Sequence, residues 1–106
     1  MRTLNRAFLI GRAGTEPEAA TSRSGHRVVT FRLATDRPGR HGPVRTDWHT
    51  VVAWDEWVPL VERQVRKGDR VYVEGRIETR EERVRGSKRT RTEIIAEEVI
   101  PLGTRT

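Results

Sequence analysis

Cysteine is absent from the 106 residues, which excludes a disulfide framework and any thiolate metal site. Aromatic residues make up 6% of the chain and hydrophobic residues 34%. That is too little to bury wide aromatic side chains and fill an ordinary core without help from a partner subunit. No apolar run approaches the roughly 20 residues of a membrane span, and no signal-peptide core opens the chain, so a cytoplasmic protein with no membrane partner is expected. Internal repeats, linkers and low-complexity tails are also lacking, and residues 1–106 are expected to form one domain. What the chain has in excess is positive charge. Lys and Arg number 21 against 15 Asp and Glu, a net charge of +6, and the default partner for such a balance is a polyanion.

Two of the few aromatics lie in one segment, Thr46 Asp47 Trp48 His49 Thr50 Val51 Val52 Ala53 Trp54. In a β-strand side chains alternate faces and each residue advances about 3.3 Å, so Trp48 and Trp54 share a face roughly 20 Å apart. Two aromatic planes on one sheet, in an arginine-rich chain, suit an extended single-stranded nucleic acid: bases stack on the rings and phosphates meet guanidinium groups.

The rest of the chain supplies a small barrel around that strand. Asn5 to Gly11 reads as a first strand, with Gly14 to Pro17 a turn carrying it onward. From His26 to Thr35, Val29, Phe31 and Leu33 alternate with Val28, Thr30, Arg32 and Ala34, a half-buried second strand. Asp36 to Arg45 is rich in Pro, Gly and Arg and reads as a long surface loop before the tryptophan strand.

Trp57, Val61 and Val65 then recur at helical spacing, which predicts a short amphipathic helix with Trp57 in the core, Asp55 as its cap and a regular part beginning near Val58. Arg63, Arg66 and Lys67 fall in the expected last turn, and Gly68 is the stop. A fourth strand, Arg70 to Arg80, turns Val71, Val73 and Ile77 one way and Arg70, Tyr72, Glu74, Arg76 and Glu78 the other, with Gly75 marking a bulge. Glu81 to Lys88 reads as a polar hairpin tip, and Arg89 to Ile100 as a fifth strand. Three strands, a helix and a hairpin are the element order of the five-stranded OB barrel, so the expected class is all-β with one short helix.

Charge gathers on two segments flanking the tryptophans. Arg80, Arg83, Arg85, Lys88, Arg89 and Arg91 crowd the last hairpin, and Arg37, Arg40 and Arg45 the loop before strand three. A solvated face would explain either cluster alone. Both beside a two-tryptophan strand make a basic groove with an aromatic platform, the combination single-strand binding requires.

Catalytic and metal chemistry find no footing. His26, His41 and His49 lie on different elements without ligand spacing, and Ser22, Ser24 and Ser87 fall in expected turns where none completes a nucleophilic set with Asp47 and His49. Gly11 and Gly14 lack the lysine and helix of a phosphate loop. No enzyme activity, cofactor or metal is expected.

Four segments, NRAFLIGRAGTEPE from Asn5, TDWHTVVAW from Thr46, KGDRVYVEGRIET from Lys67 and TEIIAEEVIPL from Thr92, resemble successive signatures of the bacterial single-stranded DNA-binding protein family, in order and over nearly the whole chain. The resemblance implies an OB fold, sequence-independent ssDNA binding in replication, recombination and repair, a place in the bacterial cytoplasm at the nucleoid, and assembly into a homotetramer or a dimer. It puts Trp48 and Trp54 on base-stacking positions, and Arg2, Lys67, Arg80 and Arg89 on positions commonly basic and close to DNA. His49 falls at a subunit contact, and Tyr72, on the outward row of its strand, is a second interface candidate.

Two departures change the expectation. Where the family places further stacking aromatics, this chain has Asp36 Arg37 Pro38 Gly39 and Glu82, which shifts the burden toward phosphate contacts. The family's acidic C-terminal tip is not in this sequence, so no tail-mediated recruitment is expected from it. A short primosomal replication protein N type of OB protein, acting mainly as a protein bridge, is the alternative, as is a subunit whose barrel surface serves oligomer contacts.

Overall fold

Six strands and one short helix make up the computed structural model, which describes residues 2–104. The strands are β1 (Ala7–Ala13), β2 (Glu18–Thr21), β3 (Arg27–Arg37), β4 (Arg45–Trp54), β5 (Arg70–Val84) and β6 (Ser87–Gly103), with α1 (Val58–Gln64) between β4 and β5. They form one sheet in the order β1-β5-β6-β4-β3-β2, and β1 pairs back onto β3 at Arg12 and Ala13, closing a ring. All pairings are antiparallel except β4 with β6, where Val51 and Val52 run beside Ile94 and Ile95. The sixth strand is β2, which follows the turn after β1 and pairs with β3 in a stretch where no strand is expected.

Alternation builds the interior. Val29, Phe31 and Leu33 of β3, Val51 and Ala53 of β4, Val71 and Val73 of β5, and Ile94, Ala96 and Val99 of β6 all turn inward. Val58, Val61 and Val65 add the buried stripe of the helical segment. Gly75 sits at the expected bulge, where the register shifts after Glu74. A Cβ there would lie 2.0 Å from the Ile95 carbonyl oxygen, so only glycine lets β5 approach β6 this closely.

Several boundaries differ from the sequence reading. The helix starts at Val58, with Pro59 in its first turn, but ends at Gln64. Arg66 and Lys67 belong to the following turn, where the Gly68 amide donates to the Ala13 carbonyl and ties that turn to β1. Asp55 does not cap the helix. It has a positive φ of 48°, and its carboxylate accepts from the Arg27 amide and pairs with His26, joining β4 to the start of β3. Trp57 is half-buried at the core's edge rather than inside it. Ile77, expected inward, is exposed: β1 stops pairing at Ala7, opposite Gly75, and leaves that side of β5 uncovered although Ile94, across from Ile77 on β6, is buried. The loop before β4 shortens to residues 38–44, since Asp36–Arg37 and Arg45–Thr46 still pair. The last hairpin likewise zips to Val84–Ser87, leaving Arg85 and Gly86, both with positive φ, as a two-residue turn.

Candidate nucleic-acid interface

The outer face of β4 carries Trp48, Thr50, Val52 and Trp54, because the intervening Val51 and Ala53 are committed to the core. Trp48 is 51% exposed and Trp54 38%. Register with β3 places Val28 beside Trp54, Thr30 beside Val52 and Arg32 beside Thr50, and on the other side Ile95 of β6 lies next to Val52. A depression of about 260 Å³ opens there, with Val28, Thr30, Val52, Trp54, Arg80, Glu93 and Ile95 in its wall. It has an aromatic side and an aliphatic floor, a chemistry suited to a flat heterocycle, and its rim carries Glu78 beside the paired Arg80 and Glu93.

Trp48 is held in place at the other end of this face. Its ring lies so close to Gly14 that a Cβ there would be 2.1 Å from Cζ3. The Arg32 guanidinium stands over the same ring, 5.3 Å from its centroid. The turn carrying Gly14 is fastened to Arg32 by backbone bonds: the Gly14 amide donates to the Arg32 carbonyl at 2.7 Å, and the Arg32 amide to Thr15 Oγ1 at 3.1 Å.

Beyond the ring, β5 and β6 continue as a two-stranded ribbon, and alternation divides its charges. Glu78, Arg80, Glu82, Glu93, Arg91 and Arg89 occupy the face continuous with the depression, while Arg83 and Lys88 pair on the opposite face and Arg85 sits in the turn. Glu93 is 5% exposed despite its charge. Its Oε2 accepts from Arg80 Nη2 at 3.1 Å and lies 3.8 Å from Arg91 Nε, so the carboxylate anchors two guanidinium groups at the groove wall. Glu82, at the position where an aromatic is missing, faces Arg91 at 3.7 Å.

The other basic residues scatter. Arg37 donates to Asp47 at 2.8 Å, and Arg37, Arg40 and Arg45 line a depression of about 380 Å³ in the loop before β4 together with His41. Lys67 lies beside the turn that seats Trp48, its amide donating to Glu16 Oε2 at 3.0 Å. Arg2 is exposed in the segment before β1.

The two interface candidates occupy different surroundings. His49 Nε2 lies 2.9 Å from Thr35 Oγ1, half-buried between β4 and β3. Tyr72 stands on the outer face of β1, β5 and β6, in a row with Ile10 and Ile100 across the register. Its hydroxyl donates to Glu74 Oε1 at 2.9 Å, and that bond, with the nearby negative charge, raises the phenol above its usual pKa. Phe8 and Ile10 on this face are 60% and 56% exposed.

Sequence reasoning passed over Arg32, Gly14, Glu93 and the Phe8, Ile10, Ile100 face. The outward alternation of Arg32 was legible in the sequence, but its neighbour across the strands was not. Among the described residues no group of three His, Cys, Asp or Glu is placed to hold a metal, and no helix is long and apolar enough to cross a membrane.

A closed six-strand ring with a parallel β4–β6 contact and one helix between β4 and β5 defines the OB class of binding domains. Comparison with known proteins narrows the class. Residues 4–102 match the Single-strand binding protein family, and the chain belongs to that family. It is 37% identical over 108 residues to Single-stranded DNA-binding protein 1 of Chlorobaculum tepidum, covering 96% of this chain and 67% of that protein. With the Single-stranded DNA-binding protein of Rickettsia typhi it shares 40% identity over 84 residues, 74% of this chain and 55% of the relative, so it spans little more than half of that protein's length. A solved Plasmodium falciparum SSB complex with ssDNA superposes with a TM-score of 0.87 at 37% identity, over 96% of this chain and 97% of the other.

Proposed function

We propose that the chain binds and protects single-stranded DNA without regard to sequence, as a non-enzymatic OB domain spanning residues 1–106, in replication, recombination and repair. The observation that carries this reading is the outer face of β4, where Trp48 and Trp54 are both exposed although the strand between them fills the core. Bases stack on the two indoles, and phosphates meet Arg80, Arg89 and Arg91 on the groove face of the ribbon and Arg37, Arg40 and Arg45 in the opposite loop. Lys67, beside the seat of Trp48, adds to the positive field, and Arg2, Arg83, Arg85 and Lys88 do so at longer range.

Assembly of like chains into a homotetramer, or first a dimer, is supported by the apolar row Ile10, Tyr72 and Ile100 with Phe8, and by β1, whose Ala7–Gly11 segment pairs on one side only among the described residues. His49 is the second contact in this scheme. Such a protein works in the bacterial cytoplasm, at the nucleoid. Gel shifts with dT oligomers of rising length, beside a duplex of the same length, test the reading: retarded single strands with a defined minimum length support it, and equal retention of the duplex overturns it.

A further inference from the structure

Among the described residues, Arg32 is the arginine whose guanidinium stands over a tryptophan ring. The neighbouring arginines Arg12, Arg37 and Arg80 are each tied to a carboxylate, of Asp36, Asp47 and Glu93 respectively. The Arg32 side chain has no ion pair or hydrogen bond among the described residues, and its one partner is the Trp48 ring at 5.3 Å. Its backbone is stapled on both sides to the turn that seats that ring, through Gly14 and Thr15. A guanidinium over an indole gains cation–π attraction without spending its N–H donors, which stay available at the rim for an anion. Leaving such a charge without a carboxylate next to an exposed aromatic plane has little value for the fold, since an exposed cation–π contact is weak.

We propose that Arg32 and Trp48 form one composite subsite, in which the indole stacks a base and the Arg32 guanidinium, held against the ring, takes the phosphate adjoining that base. The subsite rests on the ssDNA reading above and deepens it by assigning a specific phosphate contact to a β3 residue outside both basic loops. It accounts for how a chain lacking two of the family's aromatics keeps a short, defined contact at Trp48: the phosphate clamp is built into the stacking platform rather than carried on a loop. Because the guanidinium reads a phosphate, the contact is indifferent to base identity.

Titrations of oligo(dT) and oligo(dC) followed by tryptophan emission across a salt series test this, using wild type, Arg32→Gln and Arg32→Lys. The side chain is exposed, so the variants are expected to melt with wild type. For Arg32→Gln the expected result is binding weaker by roughly 5- to 20-fold, a log K against log salt slope shallower by about 0.7, and the same loss for both oligomers. Arg32→Lys keeps the slope. An Arg32→Gln protein that binds as tightly as wild type with an unchanged slope, or more tightly, overturns the composite subsite and makes Arg32 a lid displaced from the ring. Wild-type protein that gives no response to either oligomer overturns the ssDNA reading itself, a result distinct from a silent Arg32 variant.

Discussion

Gly14 and Trp48 are packed backbone to ring: a methyl group on Gly14 would stand 2.1 Å from Cζ3 of the indole. The Trp48 ring is therefore positioned by a residue with no side chain, on a turn held to β3 and to the segment after α1. Gly14→Ala is expected to swing Trp48 off its seat, and since the ring is half-exposed the fold loses little, about 1 kcal/mol or less. Binding of oligo(dT) should weaken and the tryptophan emission of the unbound protein should shift. Thermal melting and emission spectra of the variant check both.

The three tryptophans are expected to separate by role. Trp48→Ala and Trp54→Ala are each expected to weaken ssDNA binding by about 1 to 3 kcal/mol at every salt concentration, with the salt slope nearly intact. Trp57→Ala should act on stability instead, by about 2 to 3 kcal/mol, below the cost of a fully buried site because Trp57 lies at the core's edge. Denaturant melts beside binding isotherms distinguish the two behaviours.

The ribbon offers a comparison between its faces. Arg80 and Arg89 share the groove face and Arg83 and Lys88 the opposite one. Replacing the first pair by glutamine should shallow the salt slope by about 1.4, at about 0.7 per phosphate, and the second pair should change it by much less. Equal effects from the two pairs would mean that the ribbon is wrapped on both faces.

Assembly is expected to depend on the face opposite the groove. Ile10→Lys puts a charge into the row with Tyr72 and Ile100 and should shift the protein toward monomer at micromolar concentration. His49→Lys should weaken assembly as well, through the site at Thr35. Sedimentation velocity reports both, and a wild-type monomer at that concentration would contradict the oligomer.

Much of this was legible in the sequence because it follows from period. The alternation of Val29, Phe31 and Leu33 and of Val71 and Val73, the bulge at Gly75 and the shared face of Trp48 and Trp54 all depend on two-residue repeats that chain order alone displays. What eluded sequence reasoning depends on register. Arg32 meets Trp48, and Glu93 meets Arg80, only once strands are paired, and a side-chain period says nothing about which residues lie opposite. The expected hairpin tip at Glu81 to Lys88 is mostly strand for a related reason: cross-strand pairing organises polar residues that have no apolar period, down to the turn at Arg85 and Gly86. Asp55 differs from the expected cap because a carboxylate before a helix can also serve a neighbouring strand, and here it accepts from the Arg27 amide at the start of β3.

The central claim is that Trp48 and Trp54, and not Trp57, form the platform for single-stranded DNA. The most direct measurement is tryptophan emission during oligo(dT) titration of wild type and of a Trp48→Phe, Trp54→Phe double variant that keeps Trp57 alone. The account predicts deep, saturable quenching of wild type and almost none of the double variant. An unresponsive wild type, or a double variant quenched as deeply, would contradict it.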